Sequence, residues 1–201
     1  IIENGPVRAT VKVEGTIRFW TGIRVRFIEY VHVYDDIPRI DFETLLLPSG
    51  RNYRIRVCFP INVEKGIIRH EVPFGYVERP EGEYPAQTRI DYSDEEKGVC
   101  LINCGLPGNN VVDDVAMITL MRSVAFEYKG ESRKGFEEGV HHSFQYSIIP
   151  FIKGDPEYRP HIHGLEVNAP LIAKVVIKGS KDASSKRFKL PLKYSFLKVE
   201  P

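Results

Sequence analysis

Cysteine, methionine and tryptophan are scarce in this chain of 201 residues, at 3, 2 and 1. Cys58, Cys100 and Cys104 are too few and too scattered for a disulfide framework. Cys100 and Cys104 stand four apart with no second Cys or His pair at zinc-finger spacing, so they read as packed thiols and not as half of a metal site. An excess of one charge sign is also missing. The 28 Lys and Arg balance 27 Asp and Glu, which argues against a nucleic-acid partner. No apolar run approaches the roughly 18–20 residues of a membrane span, so no membrane partner is expected. The opening Ile1-Ile2-Glu3-Asn4-Gly5 has no Met and no basic segment, and runs straight into strand-like sequence. That suggests a piece cut from a longer protein, and the odd number of thiols suggests a cytoplasmic one.

What is abundant is β-branched. Ile and Val number 20 each, against 11 Leu and 7 Ala, the composition of a β protein. Arg24–Val33 and Arg54–Phe59 alternate apolar and polar residues with the period of a strand buried on one face. Further strands are expected over Ala9–Val13, Thr16–Phe19, Ile40–Leu46, Gly66–Glu71, Thr88–Tyr92, Val99–Asn103, Val115–Met121, Ser143–Ile149, Leu171–Ile177 and Phe188–Leu197. Turn clusters separate them, among them Asp35-Asp36-Ile37-Pro38, Arg79-Pro80-Glu81-Gly82 and Leu106-Pro107-Gly108-Asn109. The pattern predicts an all-β protein, an antiparallel β-sandwich. A short helix has room only over Asp155–Glu166, with Asp155 as N-cap, Pro156 at the first helical position, and Pro160 and Gly164 limiting its length. Gly179–Lys186 reads as an exposed polar loop.

Chemistry-bearing patterns are sparse. A glycosidase needs two carboxyl groups about 5–9 Å apart across a sugar. The pairs here, Asp35-Asp36, Asp94-Glu95-Glu96, Asp113-Asp114 and Glu137-Glu138, are adjacent and turn-bound, which fits solvated turns better than catalysis. His161 and His163 would share one face of an extended segment, and His141-His142 adds two more imidazoles, yet no third and fourth ligand stand at matching spacing. Surface histidines are the better reading, and neither a catalytic nor a metal-binding residue is assigned. Nucleophile elbows, phosphate loops and His-Glu-x-x-His are absent. Phe19, Trp20, Tyr30, Tyr34 and Tyr84 would serve a sugar-stacking surface, though aromatics on strands are more often core.

Two stretches go beyond composition. Glu83-Tyr84-Pro85-Ala86-Gln87-Thr88-Arg89-Ile90-Asp91-Tyr92-Ser93-Asp94, followed by Gly98-Val99-Cys100-Leu101-Ile102-Asn103-Cys104-Gly105, resembles the signature of the C-terminal region of glycoside hydrolase family 38 α-mannosidases. Ile118–Ser123, Gly139 and His142–Pro150 are similar to downstream pieces of that family, in order. Glu3–Ala9, Pro38–Phe42 and Val72–Pro80 are similar to upstream ones. Thr88-Arg89 stand in place of the usual Asn-Trp, and Phe151 in place of a His.

The resemblance implies that residues 1–201 are the central part of the large, galactose-mutarotase-like supersandwich in that region, incomplete at both ends. It implies a parent enzyme that is zinc-dependent, retaining and specific for terminal α-mannosides. The zinc and the aspartate nucleophile would belong to an N-terminal catalytic domain absent here, so the piece itself would be non-catalytic and cleft-forming, with no cofactor of its own. Its partners would be the catalytic and helical domains of the same chain, with a homo-oligomer possible through exposed strand edges. Arg122, in Leu120-Met121-Arg122-Ser123, matches the motif of an arginine that reaches substrate. Its guanidinium suits hydroxyl-rich ligands, and the competing reading is pairing with a carboxylate. The alternative for the whole chain is a stand-alone carbohydrate-binding or structural sandwich.

Overall fold

A computed structural model describes residues 1–63, 66–124, 139–156 and 158–172. The chain divides into two compact units, Ile1–Pro170 and Leu171–Pro201. The first carries every element described below.

Among its described residues it holds thirteen strands and one helix, and all strand pairs are antiparallel. Nine strands make a large sheet in the order β1 (Glu3–Asn4), β2 (Arg8–Arg18), β3 (Arg24–Tyr34), β4 (Ile40–Leu47), β13 (His142–Ile152), β10 (Lys97–Asn103), β9 (Arg89–Ser93), β6 (Ile67–Val72), β7 (Gly75–Arg79). Four make a small one: β5 (Tyr53–Pro60), β12 (Val115–Ser123), β11 (Gly108–Val112), β8 (Gly82–Pro85). Leu46, Ile68, Ile90, Leu101 and Tyr146 of the large sheet share one core with Ile55, Val111, Ala116 and Ile118 of the small one. The expected antiparallel all-β sandwich is therefore present, its two sheets burying one another's apolar faces.

Several boundaries differ from the sequence reading. Ala9–Val13 and Thr16–Arg18 belong to a single strand, β2, which ends before Phe19. The gap expected at Glu14-Gly15 is absent: Gly15 sits mid-strand, where a Cβ would come within 2.6 Å of the Phe27 ring. Strands β7, β8 and β11 are not among the expected ones; β7 and β8 flank the Arg79–Gly82 turn cluster, and β11 begins inside the Leu106–Asn109 one. Leu171 and Ile172 have no regular structure, and the remainder of that expected strand, Phe188–Leu197 and the Gly179–Lys186 loop lie outside the described residues.

The helix, α1, spans Pro160–Asn168 and not Asp155–Glu166. Pro160 opens it at the first turn, where a missing N–H costs nothing. Gly164 does not shorten it. It is buried, and a Cβ there would stand 3.0 Å from Thr88 Oγ1, so glycine admits close approach to the sheet. Asn168 fastens the far end, its Nδ2 donating to the carbonyl of Asn103 at 3.0 Å. Val167 and Tyr158 cover Cys100, Ile102 and Ile149 on the outer face of the large sheet. No helix among the described residues is long and apolar enough to cross a membrane.

Candidate functional site

Alternation along β9 sends Ile90 and Tyr92 into the core and Arg89, Asp91 and Ser93 to the outer face. There Asp91 is in register with Cys100 of β10 on one side and Arg69 of β6 on the other. All three polar residues are buried, Arg89 to 6% and Asp91 to 7% exposure. Buried charges need partners. Arg89 Nη1 donates to Asp91 Oδ2, and Tyr158 Oη donates to Asp91 Oδ1 at 3.0 Å. Burial, with Cys100 and Asp91 close by, drives the Tyr158 hydroxyl far above its ordinary range. Burial likewise pushes the Cys100 thiol well up, with Asp91 adding to it, so this thiol is inert.

Glu71 extends the cluster. Its Oε2 accepts from the backbone N–H of Thr88 at 2.9 Å and from Thr88 Oγ1. Its Oε1 stands 4.0 Å from Arg89 Nε, and that Nε is buried without a hydrogen-bond partner. Arg69 donates to Glu78 at 3.1 Å and lies 5.7 Å over the Tyr76 ring. These groups line a cleft of about 750 Å³ between the β6–β7 hairpin and the approach to α1. Its aromatic walls are Phe74 and Tyr76 on the hairpin side and Phe151 and Tyr158, stacked 3.7 Å apart, on the helix side. Phe74 is fully solvent-exposed and holds a left-handed backbone (φ 69°), a conformation an aromatic residue rarely takes.

A second polar cluster lies on the other flank of α1. Asp41 accepts from Arg39 Nε at 2.7 Å, Tyr34 Oη at 2.8 Å and Ser147 Oγ. Burial alone would raise its carboxyl, but hydrogen bonds from Arg39, Ser147 and Tyr34 outweigh it and hold it below the usual range.

Arg122 lies on the opposite side of the sandwich. A β-bulge in β12 shifts the register between Thr119 and Met121, so Leu120 and Met121 are both buried and Arg122 is turned outward. It faces Arg54 across the strand pair. Glu83 accepts from Arg54 at 2.8 Å and from Arg56 at 2.7 Å, so three arginines and one carboxylate share the outer face of the small sheet.

The other candidates disperse. His161 and His163 fall on α1, where residues two apart point to different faces, and not on an extended segment as expected. His163 Nδ1 lies 3.2 Å from Glu166 Oε2 instead. Asp35, Asp36, Asp113 and Asp114 are exposed in turns, the latter two in left-handed conformations that Asp tolerates. Asp94 Oδ1 accepts from the N–H groups of Glu96 and Lys97 at 2.8 Å. Glu137-Glu138 lies outside the described residues. Of the aromatics, Phe19 packs on Tyr53 at 5.0 Å, Tyr84 on His70 at 5.6 Å, and Trp20 is 97% exposed at a hairpin tip. They form no common platform. Phe74, Tyr76 and Tyr158 were missed because two segments far apart in sequence, the β6–β7 hairpin and the approach to α1, bring them to the cleft.

An all-β sandwich with its signature segments on β8, β9, β10, β12 and β13 defines a class. The family model for the glycosyl hydrolases family 38 C-terminal domain matches residues 1–129, and the chain belongs to that family. Among solved structures, a protein in the glycosyl hydrolase family 38 from Enterococcus faecalis is similar at 20% identity and TM-score 0.68, over 76% of this chain and 22% of that one. An alpha-mannosidase from Enterococcus faecalis V583 is similar at 20% identity and TM-score 0.67, with the same coverage. At that identity the likeness speaks for the fold. The chain spans about a fifth of the length of these two proteins. No curated protein matches.

Proposed function

We propose that the chain is the non-catalytic, cleft-forming part of a zinc-dependent, retaining α-mannosidase acting on terminal α-mannosides. The observation that carries this reading is the family match over residues 1–129 on a sandwich that accounts for only 22% of a similar alpha-mannosidase. The described residues do not fit a zinc site, since no three of His, Cys, Asp and Glu come together to hold a metal. In this reading the zinc and the carboxylates that act on the glycosidic bond belong to other domains of the parent protein. A cytoplasmic setting is supported by Cys58, Cys100 and Cys104, which are all free thiols.

In this reading Arg122 contributes to binding. The bulge before it presents the guanidinium outward from a rigid strand, where its fixed donors suit sugar hydroxyls. In the complete protein, Arg122→Ala is expected to lower kcat/KM on an aryl α-mannoside by about 10-fold or more, the range of a lost charge-assisted hydrogen bond. Unchanged kinetics would remove Arg122 from the substrate contact set.

A further inference from the structure

The cleft on the outer face of the large sheet lies on the side of the sandwich away from Arg122, and nothing in the proposed reaction uses it. Its volume of about 750 Å³ falls in the range of small-molecule sites. Its floor alternates donors and acceptors: Arg69 and Glu71 on β6, Arg89 and Asp91 on β9. Arg69 is paired with Glu78 and Arg89 with Asp91, and the exposed Lys153 in the lining offsets Glu71, so the charges cancel and leave no strong field to select an anion or a cation.

A hydroxyl group meets both kinds of partner at once, accepting from a guanidinium N–H and donating to a carboxylate. Arg89, nine-tenths buried at the floor, keeps its Nε without a partner 4.0 Å from Glu71 Oε1. Above the floor, Tyr76 offers a half-exposed ring beside Arg69, and Phe74 stands fully exposed at the hairpin tip. Holding an aromatic residue in a left-handed turn and in water costs stability, which is the mark of a residue kept for contact.

We propose that this cleft is a carbohydrate-binding site, taking a neutral hexopyranoside with its hydroxyls on the Arg69, Glu71, Arg89 and Asp91 floor and one ring face on Tyr76. The inference rests on the geometry of the large sheet and stands independently of the role given to Arg122.

The test is a titration of the 201-residue chain with methyl α-D-mannopyranoside, followed by saturation-transfer NMR and tyrosine fluorescence. Saturable binding with a Kd on the order of 1 mM is expected for a ligand of this size. Tyr76→Ala, a change at an exposed position, is expected to weaken it about 5-fold through lost stacking, with an unaltered thermal melt. Arg69→Ala is expected to weaken it similarly, and Lys12→Ala, on β2 toward the far edge of the large sheet, to leave it unchanged. The proposal is overturned if no saturable binding occurs up to about 20 mM, if both cleft variants bind as the parent does, if Arg122→Ala alone abolishes binding, or if inorganic phosphate competes for the cleft.

Discussion

Asp91→Ala is expected to destabilise the sandwich by about 3–5 kcal/mol, because it removes one member of a buried ion pair and leaves the other charge in place. Arg89 is 6% exposed and its Nη1 bonds to Asp91, so truncation strands a guanidinium between two strands of the large sheet. The same change frees Tyr158, whose hydroxyl donates to Asp91 at 3.0 Å and whose ring helps α1 cover Cys100, Ile102 and Ile149. For a unit of this size the loss corresponds to a fall in Tm on the order of 10 °C. Replacing both partners, as Arg89→Met with Asp91→Leu, should recover most of the stability, since an apolar pair leaves no unpaired charge. Urea unfolding of the three proteins decides the matter. An Asp91→Ala variant within about 0.5 kcal/mol of the parent would contradict the assignment of this pair as a buried, mutually dependent unit.

The second large effect is acid sensitivity centred on His70. Its side chain is fully buried on the core face of β6, against the edge of the Tyr84 ring, and neither ring nitrogen has a hydrogen-bond partner. Burial, with a smaller contribution from the positive charge of Arg79, lowers its pKa from 6.5 to about 4. A depressed basic group is neutral in the folded state while the unfolded chain already takes up a proton. Between pH 6.5 and 4 the unfolded state therefore binds more protons, and stability falls as pH falls through that window. The loss attributable to His70 approaches about 3 kcal/mol near pH 4. His70→Leu should remove that portion of the slope and be no less stable than the parent at pH 7, because it deletes two unsatisfied polar atoms. Unfolding free energies of the two proteins at pH 7, 5.5 and 4.5 give the comparison. Parallel curves would show that His70 is not the group responsible.

The strands were legible where alternation was clean, as in Arg24–Val33 and Arg54–Phe59, since one-sided burial imposes a period of two. The reading failed where a residue served packing and not local geometry. Gly15 fell in a gap between two expected strands and instead makes room for Phe27 within one, and Pro160 was expected to limit a helix that it in fact begins. The outward aim of Arg122 was hidden as well. Strict alternation would place it on the same side as Ile118 and Leu120, and only the bulge, a property of the β5–β12 pairing, reverses it. The family signature was legible as a string, but its physical content was not. Arg89 and Asp91 are a polar pair on a strand buried on both faces, which becomes intelligible once α1 and the β6–β7 hairpin are seen to flank them.

The central claim is that glycosidic chemistry belongs to the rest of the parent protein while this sandwich supplies structure and binding surface. Its most direct test is the hydrolysis of p-nitrophenyl α-mannoside with zinc present, assayed in parallel on the complete protein and on the 201-residue chain. The account predicts product release by the complete protein and none above the blank by the chain alone. Turnover by the chain alone would contradict it.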